Sequence, residues 1–469
     1  MTNKTENKGL DINVKSFITA ILIILTLMCL TYALTFVIPG GEYARVLDSN
    51  GELIIDTEAG FSFVEGGMPF WKWLLSPFLV LTAEGSGTII AVIAFLLVIG
   101  GVFNCLDKCG LMKYMLDKIV NKFGQSRYKL MAMIVFFFMA LGSFIGSFEE
   151  CVPLVPIVVA LAVSLGWDDL TGLGMSLLAI GCGFAAGICN PFTVGVAQEL
   201  AGLPMFSGIW LRAVSFIIIY ILLLLFVRSH AKKVEQPLST DVIISSFKQD
   251  KNMDRGLLLF GGILSAGMLL VFSSVFITVL QDFTMIIVAL VFLVSGILSV
   301  LTTGMSGKNL AKYFWSGVTS IFPAVLMILM ASSIKFTLVE ANILDTLLYY
   351  AVSVAEALPK EAVIIFIYVL VLGMNFFISS GSAKAFLLIP LITPMAQIFG
   401  ISSQLCIMAF AFGDGFSNVL YPTNPVLLIG LGLANVSYVK WFKWTWKFQA
   451  INLIMTSGIL LFGLAVGYY

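Results

Sequence analysis

The chain has 469 residues, of which 59% are hydrophobic and 11% are charged, and its 26 basic and 26 acidic residues leave no net charge. Soluble globular proteins contain about 45–50% apolar and about 25% charged residues, so this composition is typical of a chain that lies mostly in lipid. It excludes a soluble enzyme, a disordered protein, and a nucleic-acid-binding protein that attracts phosphate through bulk positive charge. The seven cysteines show no spacing typical of a zinc site or a disulfide framework.

Nine apolar runs are long enough to cross a membrane, because a helical span needs about 20 residues. Two further apolar stretches each consist of two shorter arms around a small polar centre. Each predicts either two thin spans or a re-entrant helical hairpin, and in both cases the chain returns to the side it left. The runs are about 17–38, 86–105, 170–200, 208–228, 256–277, 283–303, 320–338, 403–433 and 444–466, and the two-armed stretches are 129–165 and 362–400.

Loop charge orients these segments, since cytoplasmic loops carry an excess of Lys and Arg. The basic loops are 106–129, 228–255, 304–319 and 434–447, and the acidic loops are 39–69 and 339–361. If the N-terminus is cytoplasmic and both two-armed stretches return, every basic loop lies inside and every acidic loop lies outside. We therefore expect an all-α, multi-pass protein of the bacterial cytoplasmic (inner) membrane, with its N-terminus in the cytoplasm and its C-terminus outside.

The sequence repeats weakly at an offset of 234 residues, where Asn190-Pro191 matches Asn424-Pro425 and Pro156 matches Pro390. The matches fall on the hairpin, on an interrupted span and on the span that follows. The two halves have opposite orientations in the topology above, and inverted repeats with interrupted helices are typical of secondary transporters. The predicted parts are a first repeat at 1–228 (hairpin 129–165, broken helix 170–200), a cytoplasmic linker and extra span at 229–282, and a second repeat at 283–469 (hairpin 362–400, broken helix 403–433).

Proline interrupts two of the predicted spans, at Asn190-Pro191-Phe192-Thr193 and at Tyr421-Pro422-Thr423-Asn424-Pro425. Proline lacks a backbone donor and clashes with the preceding helical turn. In lipid, broken backbone is tolerated only where it is buried in protein or lines a cavity. Asn190, Thr193, Thr423 and Asn424 can satisfy the freed backbone groups or coordinate a cation, which makes them candidate site residues. Two proline kinks that serve packing alone are the structural alternative.

The tips of the two hairpins carry polar and charged residues at membrane depth. A charge at the centre of a spanning helix costs at least roughly 2.5–3.5 kcal/mol, so such charges tend to be functional or paired. Acids at one tip suit an ammonium or guanidinium group, while a lysine and helix N-termini at the other suit a carboxylate. A structural ion pair between Glu150 and Lys384, which the offset aligns, is the alternative. The tip residues are Ser147, Glu149 and Glu150 in the first hairpin and Ser380, Gly381, Ser382 and Lys384 in the second.

Asp414 and Asn418 lie in the second interrupted span, before its break, where Asp414 can join the cation site or bind Na⁺ or H⁺. The chain contains neither a P-loop nor a catalytic motif, so we expect neither ATP-driven transport by this chain nor an enzyme. The residues favour a transporter for amino acids, especially basic ones such as arginine, lysine and ornithine, with no nucleic-acid partner. A carrier for C4-dicarboxylates or other small organic anions is the first alternative, and a channel or a membrane-embedded enzyme is the second.

Several stretches resemble a known family. Residues 379–390 resemble the Ser-Asn-Thr hairpin tips of the ion transporter superfamily. Residues 146–157, 189–204 and 413–428 are similar to YfcC-type carriers, which are grouped with the C4-dicarboxylate anaerobic carriers and named as basic amino-acid antiporters. The resemblance covers nearly the whole chain. It implies a homodimer in which a scaffold domain holds a moving transport domain, with elevator-type alternating access that is often coupled to Na⁺.

The same resemblance implies roles for individual residues. Ser380, Gly381 and Ser382 stand where the Ser-Asn-Thr residues bind substrate carboxylate and Na⁺, although Gly381 replaces the Asn. The implied Na⁺ ligands are Ser147, Asn190, Ser380 and Asn424. In the first half, Phe148-Glu149-Glu150 replaces the motif, and two acids at a tip would repel a dianion. This departure favours a cationic or zwitterionic substrate over a dicarboxylate.

Overall fold

The computed structural model describes residues 14–47, 53–55, 60–83, 86–123, 126–146, 148–204, 206–236, 249–273, 284–355 and 358–469, and these residues are mostly helical. Four of the predicted spans correspond to helices that begin or end beside residues that are not described. Those helices are Val14–Leu34, Ser86–Lys108, Lys251–Ser273 and Thr284–Thr302. Among the described residues, seven helices are long and apolar enough to cross a membrane: Ile89–Lys108, Arg127–Ile145, Asp169–Leu200, Ile209–Val234, Gly307–Glu340, Gly381–Ile398 and Tyr438–Ala465.

One group of helices packs around the long helix Gly307–Glu340. This helix contacts Ser86–Lys108 along much of its length, and Thr284–Thr302 packs against both Ser86–Lys108 and Lys251–Ser273. Between the first two helices, Asn104 Nδ2 donates a hydrogen bond to the carbonyl of Tyr313 at 2.6 Å. Hydrogen bonds of this kind hold apolar helices together where no water competes. The group also includes Val14–Leu34 and Phe70–Leu79, and Leu111–Phe123 lies at its edge.

Four short strands form two antiparallel pairs beside this group. Gly41–Tyr43 pairs with Phe61–Phe63, and Arg45–Leu47 pairs with Leu53–Ile55. The strands are tied to the segment that follows Gly307–Glu340, which continues into helix Leu344–Ala355. The amide of Gly41 donates to the carbonyl of Asn342 at 2.8 Å, and the guanidinium of Arg45 lies 2.8 Å from the buried carboxylate of Asp345. The two predicted acidic loops are therefore in contact.

A second group contains the two-armed stretches and the two interrupted helices, with Ile209–Val234 and Tyr438–Ala465 packed against them. The arms are Arg127–Ala140 with the π-helical turn Leu141–Ile145, then Val155–Ser164, and in the second stretch Lys360–Asn375 and Gly381–Ile398. The first interrupted helix comprises Asp169–Leu173, Gly174–Leu178, Ala179–Ala186, Pro191–Gly195 and Val196–Leu200. The second comprises Ser403–Asn418 and Pro425–Leu433.

The helices that precede the two interruptions cross in direct contact. A Cβ atom on Gly415 would lie 2.3 Å from backbone atoms of Ala185, and one on Gly181 would lie 2.4 Å from a methyl carbon of Val419. Only glycine allows such an approach. The offset of 234 relates Gly181 to Gly415 and Ala185 to Val419. The two contacts are thus formed by equivalent positions of the predicted halves.

Contacts between helix ends show which ends of each hairpin lie close together, and they agree with the grouping of loops by charge. Arg127 Nη1 donates to the carbonyl of Leu165 at 2.9 Å, so the two ends of the first hairpin lie together. The Nζ atom of Lys360 lies 3.6 Å from the position of a Cβ on Gly400, so the ends of the second hairpin do as well. Both stretches therefore return to the side from which they start.

Candidate functional site

The first hairpin tip packs onto the break in the first interrupted helix. That helix stops at Ala186, and the amides of the next residues lose their helical acceptors. Ser143 replaces these acceptors, because its Oγ accepts from the amide of Ile188 at 3.0 Å and its carbonyl accepts from the amide of Cys189 at 3.1 Å. The tip thus satisfies backbone that would otherwise be unpaired inside the protein.

Each break ends with an Asn-Pro pair that starts a new half-helix. Asn190 Oδ1 accepts from the amides of Phe192 and Thr193 at 3.0 and 3.3 Å. Asn424 Oδ1 accepts from the amides of Val426 and Leu427 at 2.9 and 3.4 Å. In both halves proline takes the first helical position, where its missing donor is not needed. The predicted interruptions are therefore present, and Asn190 and Asn424 hold the same role at equivalent positions.

The second hairpin tip lies against both interrupted helices. Ser380 caps helix Gly381–Ile398, with its Oγ 3.4 Å from the amide of Ala383, and both Ser380 and Ser382 remain partly accessible. A Cβ on Gly381 would lie 2.5 Å from Cγ2 of Thr193, which follows the first break. The same atom would lie 2.6 Å from Oδ2 of Asp414, which precedes the second break. Gly381 is thus the point at which the second tip touches both breaks.

Lys384, one turn beyond this tip, is fully buried and lies in a cage of oxygen atoms. Its Nζ donates to Asp414 Oδ1 at 2.7 Å, to the carbonyl of Ile378 at 3.1 Å and to Asn375 Oδ1. An ammonium group has three donors, so all of them are occupied. Lys384 therefore has no donor left for Glu150 or for a substrate carboxylate in this conformation. The sequence alignment with Glu150 did not indicate Asp414 as the partner.

Asn375 extends this cage into a buried amide network. Its Nδ2 lies 2.7 Å from Ser417 Oγ and 3.0 Å from Asn418 Oδ1, and Asn424 Nδ2 donates to the same Asn418 oxygen at 2.8 Å. The network joins the second tip to the second break through Asn418, a predicted site residue. Sequence reasoning missed Asn375 and Ser417. An amide side chain within an otherwise apolar hairpin arm was the available signal for Asn375.

Four buried polar atoms around the breaks have no hydrogen-bond partner among the described residues. They are Asn190 Nδ2, Thr193 Oγ1, Asp414 Oδ2 and Thr423 Oγ1. A buried polar group without a partner costs about 1–3 kcal/mol, so a cluster of them indicates a position that water or a ligand fills. Three of the four belong to the Asn-Pro segments that the sequence indicated. We take these four polar groups to mark the candidate site.

The first tip is described less completely. Ser147 lies outside the described residues, and for Glu149 and Glu150 only the backbone is described. That backbone forms a 3₁₀ turn, and the flanking residues Phe148 and Cys151 are both buried. The turn packs against the half-helix Pro425–Leu433 and against Thr284–Thr302. The two glutamates therefore occupy a turn that lies inside the helical assembly.

Three of the four residues suggested as Na⁺ ligands are described, and these three do not form one cluster of free side-chain oxygen atoms. Asn190 and Asn424 lie in different breaks, and the side-chain oxygen of each accepts from the half-helix that it caps. Ser380 lies at the second tip, and Ser147 is not described. Within the described part of the chain, no group of three or more His, Cys, Asp or Glu residues is arranged to hold a metal ion.

Two cavities lie away from the tips. One, of about 570 Å³, opens between helices Leu111–Phe123 and Lys251–Ser273. The other, of about 270 Å³, lies between the second interrupted helix and Tyr438–Ala465, where Phe442 and Trp446 are exposed on the outer surface. Neither is lined by the unpartnered polar atoms described above.

Comparison with known proteins identifies the family. The profile of the C4-dicarboxylate anaerobic carrier family (DcuC) matches residues 17–465. The Escherichia coli (strain K12) protein named "Putative basic amino acid antiporter YfcC" is 31% identical over 418 residues, which cover 84% of this chain and 81% of that protein. An uncharacterised protein of Haemophilus influenzae is 24% identical over 397 residues, covering 82% of this chain and 77% of that protein.

Two solved transporter structures are distantly similar. The YdaH transporter of Alcanivorax borkumensis has a TM-score of 0.45 and 18% identity, covering 97% of this chain and 99% of that chain. MtrF of Neisseria gonorrhoeae, described with a class of antimetabolite efflux pumps, has a TM-score of 0.42 and 17% identity, covering 94% of each chain. These two structures are too distant to support a statement about the site. The family match and the relative at 31% identity decide the assignment: this chain is a membrane transporter rather than an enzyme, and it belongs to the C4-dicarboxylate anaerobic carrier family.

Proposed function

We propose that this protein is a secondary transporter that carries amino acids, above all arginine, lysine and ornithine, across the cytoplasmic membrane. It works as an antiporter or by coupling to Na⁺ or H⁺. The name of the E. coli relative agrees with this substrate class. Inside the family, the substrate has to follow from the chemistry of the site, since the same fold can carry different ligands.

The charge balance near the tips is the observation that carries the preference for a cation. Lys384 and Asp414 neutralise each other, and the lysine has no donor left for another acid. The two negative charges of Glu149 and Glu150 are therefore not balanced by Lys384, and their turn lies inside the helical assembly. Two adjacent carboxylates attract an ammonium or guanidinium group and repel a dianion.

The opposite end of an amino acid finds suitable groups at the breaks. The half-helices Pro191–Gly195 and Pro425–Leu433 begin at the site, and helix N-termini in transporters favour carboxylates. Asn190 Nδ2, Thr193 Oγ1 and Thr423 Oγ1 supply donors that no described residue uses. Ser380, Gly381 and Ser382 add a hydroxyl-rich helix N-terminus at the second tip. In this arrangement the buried polar network next to these groups supports the site, and it comprises Asp414, Lys384, Asn418 and Asn424.

The proposal includes elevator-type alternating access between inverted repeats at 1–228 and 283–469. The equivalent contacts of Gly181 and Gly415 support a two-fold relation between the halves. The division into two packing groups supports a scaffold built around Gly307–Glu340 and a transport domain that holds both re-entrant hairpins. The homodimer implied by the resemblance is part of this proposal. A disulfide engineered between Gly307–Glu340 and Pro425–Leu433, which are in contact, should stop transport until it is reduced.

The second candidate function is the transport of C4-dicarboxylates. The family profile favours it by its description. It requires that Glu149 and Glu150 be protonated or paired with cations other than Lys384, so that a dianion can approach. The two candidates predict opposite responses to removal of the tip charges.

A ligand panel tests both functions on purified protein. We expect arginine, lysine and ornithine to raise the thermal unfolding temperature (Tm) and to exchange across proteoliposomes, and succinate to do neither. Because a hydrogen bond to a charged group contributes about 1.5–3 kcal/mol, Glu149→Gln and Glu150→Gln should each weaken arginine binding about 10- to 100-fold. Glu361→Gln is the matched control, since Glu361 is exposed at the far end of the second hairpin. Stabilisation by succinate instead, with arginine exchange unchanged in both tip variants, would contradict the proposal.

A further inference from the structure

The oxygen cage around Lys384 has the composition of a cation site. One oxygen comes from the carboxylate of Asp414, one from the amide of Asn375 and one from the carbonyl of Ile378. Oxygen atoms of these three kinds are the ligands that hard metal cations prefer. The Ile378 carbonyl lies just beyond the C-terminus of helix Lys360–Asn375, where the helix dipole is negative.

One cage oxygen is positioned by hydrogen bonds that do not involve Lys384, and a second belongs to a side chain on a fully buried helix. Asn375 is anchored through its Nδ2 to Ser417 and Asn418, so its oxygen points away from those residues and towards the lysine. Asp414 lies in the buried helix Ser403–Asn418, which packs along Lys360–Asn375. Its second oxygen is buried and has no partner among the described residues. Removal of the ammonium would therefore leave a preorganised oxygen site with one negative charge.

We infer that Lys384 is the resident cation of a cation-binding site, and that this site accepts Na⁺ when the ammonium group is removed. The native protein consequently binds no Na⁺ at this position, since the lysine occupies the cage and neutralises Asp414. The consequence for coupling, which rests on the proposed transport function, is that substrate exchange at this tip proceeds without Na⁺ at the cage. Nothing in the sequence motif indicated that the tip carries its own counter-ion.

Truncation of Lys384 to Ala makes the site accessible to a metal ion. It removes the ammonium and the side chain beyond Cβ, and the space that becomes free is larger than the roughly 30 Å³ that one water molecule occupies. Na⁺ with one water can then complete its shell from the three cage oxygens and Asp414 Oδ2. The Lys384→Ala/Asp414→Asn double variant has the same space without the carboxylate, so it serves as the matched control.

The test is the Tm of each purified variant in Na⁺ and in N-methyl-D-glucamine at equal ionic strength. We expect no Na⁺-dependent shift of the native protein that Asp414→Asn removes. At Na⁺ concentrations near 100 times its Kd, Lys384→Ala should show a rise of about 3 °C beyond any rise of the native protein, and the double variant should show no such additional rise. Lys384→Ser provides a second truncation that leaves similar space. In Lys384→Ala, arginine exchange should gain a Na⁺ dependence that the added Asp414→Asn substitution removes.

Three outcomes would overturn the inference. The first is stabilisation of the native protein by Na⁺ that Asp414→Asn abolishes. The second is a folded Lys384→Ala variant whose Tm does not respond to Na⁺. The third is that Lys384→Ala and Lys384→Ser both fail to fold and that Na⁺ does not restore their folding. If the native protein exchanges no arginine under any condition, the proposed function fails. The Tm measurements still decide the cation site in that case, because they need no substrate.

Discussion

Replacement of Gly381 by Ala places a methyl group where the second hairpin tip meets both interrupted helices. The new carbon would lie 2.5 Å from Cγ2 of Thr193 and 2.6 Å from Oδ2 of Asp414. Non-bonded carbon atoms normally stay about 3.5–4.0 Å apart, so the overlap is about 1 Å. Thr193 and Asp414 are both buried and have little room to retreat. Either the tip moves away from the breaks or the two side chains change rotamer.

Two opposing terms set the expected change in the free energy of unfolding. Overpacking of a filled interior costs about 1–3 kcal/mol. Alanine gains about 0.5–1 kcal/mol over glycine in a helix, because glycine loses more backbone freedom on folding. The free energy of unfolding should therefore fall by up to about 2 kcal/mol. Because the displaced groups are Thr193, which is proposed to bind the substrate, and Asp414, which is proposed to support the site, the initial rate of arginine exchange should fall at least about 10-fold.

Gly373→Ala is the matched control in the same hairpin. No atom lies within 4 Å of the position of its Cβ, and Gly373 is exposed. This variant gains the helical preference of alanine without a clash, so its Tm and exchange rate should equal or exceed those of the native protein. Both variants are compared by thermal unfolding in detergent and by exchange in proteoliposomes at matched protein content. If Gly381→Ala behaves like Gly373→Ala in both assays, the tip does not contact the breaks as described.

Two further variants probe the cap at the first break and an ion pair outside the spans. Asn190→Ala should lower the free energy of unfolding by about 1 kcal/mol because the half-helix loses its cap, while Asn190→Ser keeps a neutral capping oxygen and should lower it less. Equal Tm values for both variants would contradict the capping geometry. Burial alone would raise the pKa of the Asp168 carboxyl, but hydrogen bonds from His230 and Thr171 outweigh burial and lower this pKa from 3.8 to about 2. A lowered carboxyl pKa stabilises the fold above about pH 4, and this stabilisation is lost as the pH falls from about 4 towards 2. Asp168→Asn should thus be less stable than the native protein at pH 7 by at most about 2 kcal/mol, and solvent screening reduces this value because 31% of the side chain is exposed. The difference in stability should shrink as the pH falls from about 4 towards 2. A constant difference from pH 7 to pH 2 would refute the assignment.

The local features of the site could be predicted from the sequence because they follow from covalent structure. Proline lacks a backbone donor and an Asn before it is a suitable cap, so Asn190-Pro191 and Asn424-Pro425 favour the start of a new half-helix. Proline alone does not decide this, because Pro390 and Pro394 lie inside the continuous helix Gly381–Ile398. The two-armed stretches were predicted from segment length and from loop charge, which depend on the bilayer and not on packing. These parts of the prediction agree with the structure.

The partner of Lys384 could not be predicted in the same way. Alignment of the two halves placed Lys384 opposite Glu150, and linear spacing gives no information on how far a side chain reaches across a helix interface. The tertiary structure brings Lys384 to Asp414 because helices Gly381–Ile398 and Ser403–Asn418 pack together, and it adds Asn375, which no motif indicated.

The sequence by itself determined that this chain spans a membrane and where two of its helices are interrupted, because composition and the Asn-Pro pairs act locally. The tertiary structure decided which charges neutralise each other and which polar atoms at the breaks remain without a partner. Those properties depend on distances of a few ångströms between residues far apart in the chain, and such distances are set by the packing of whole helices.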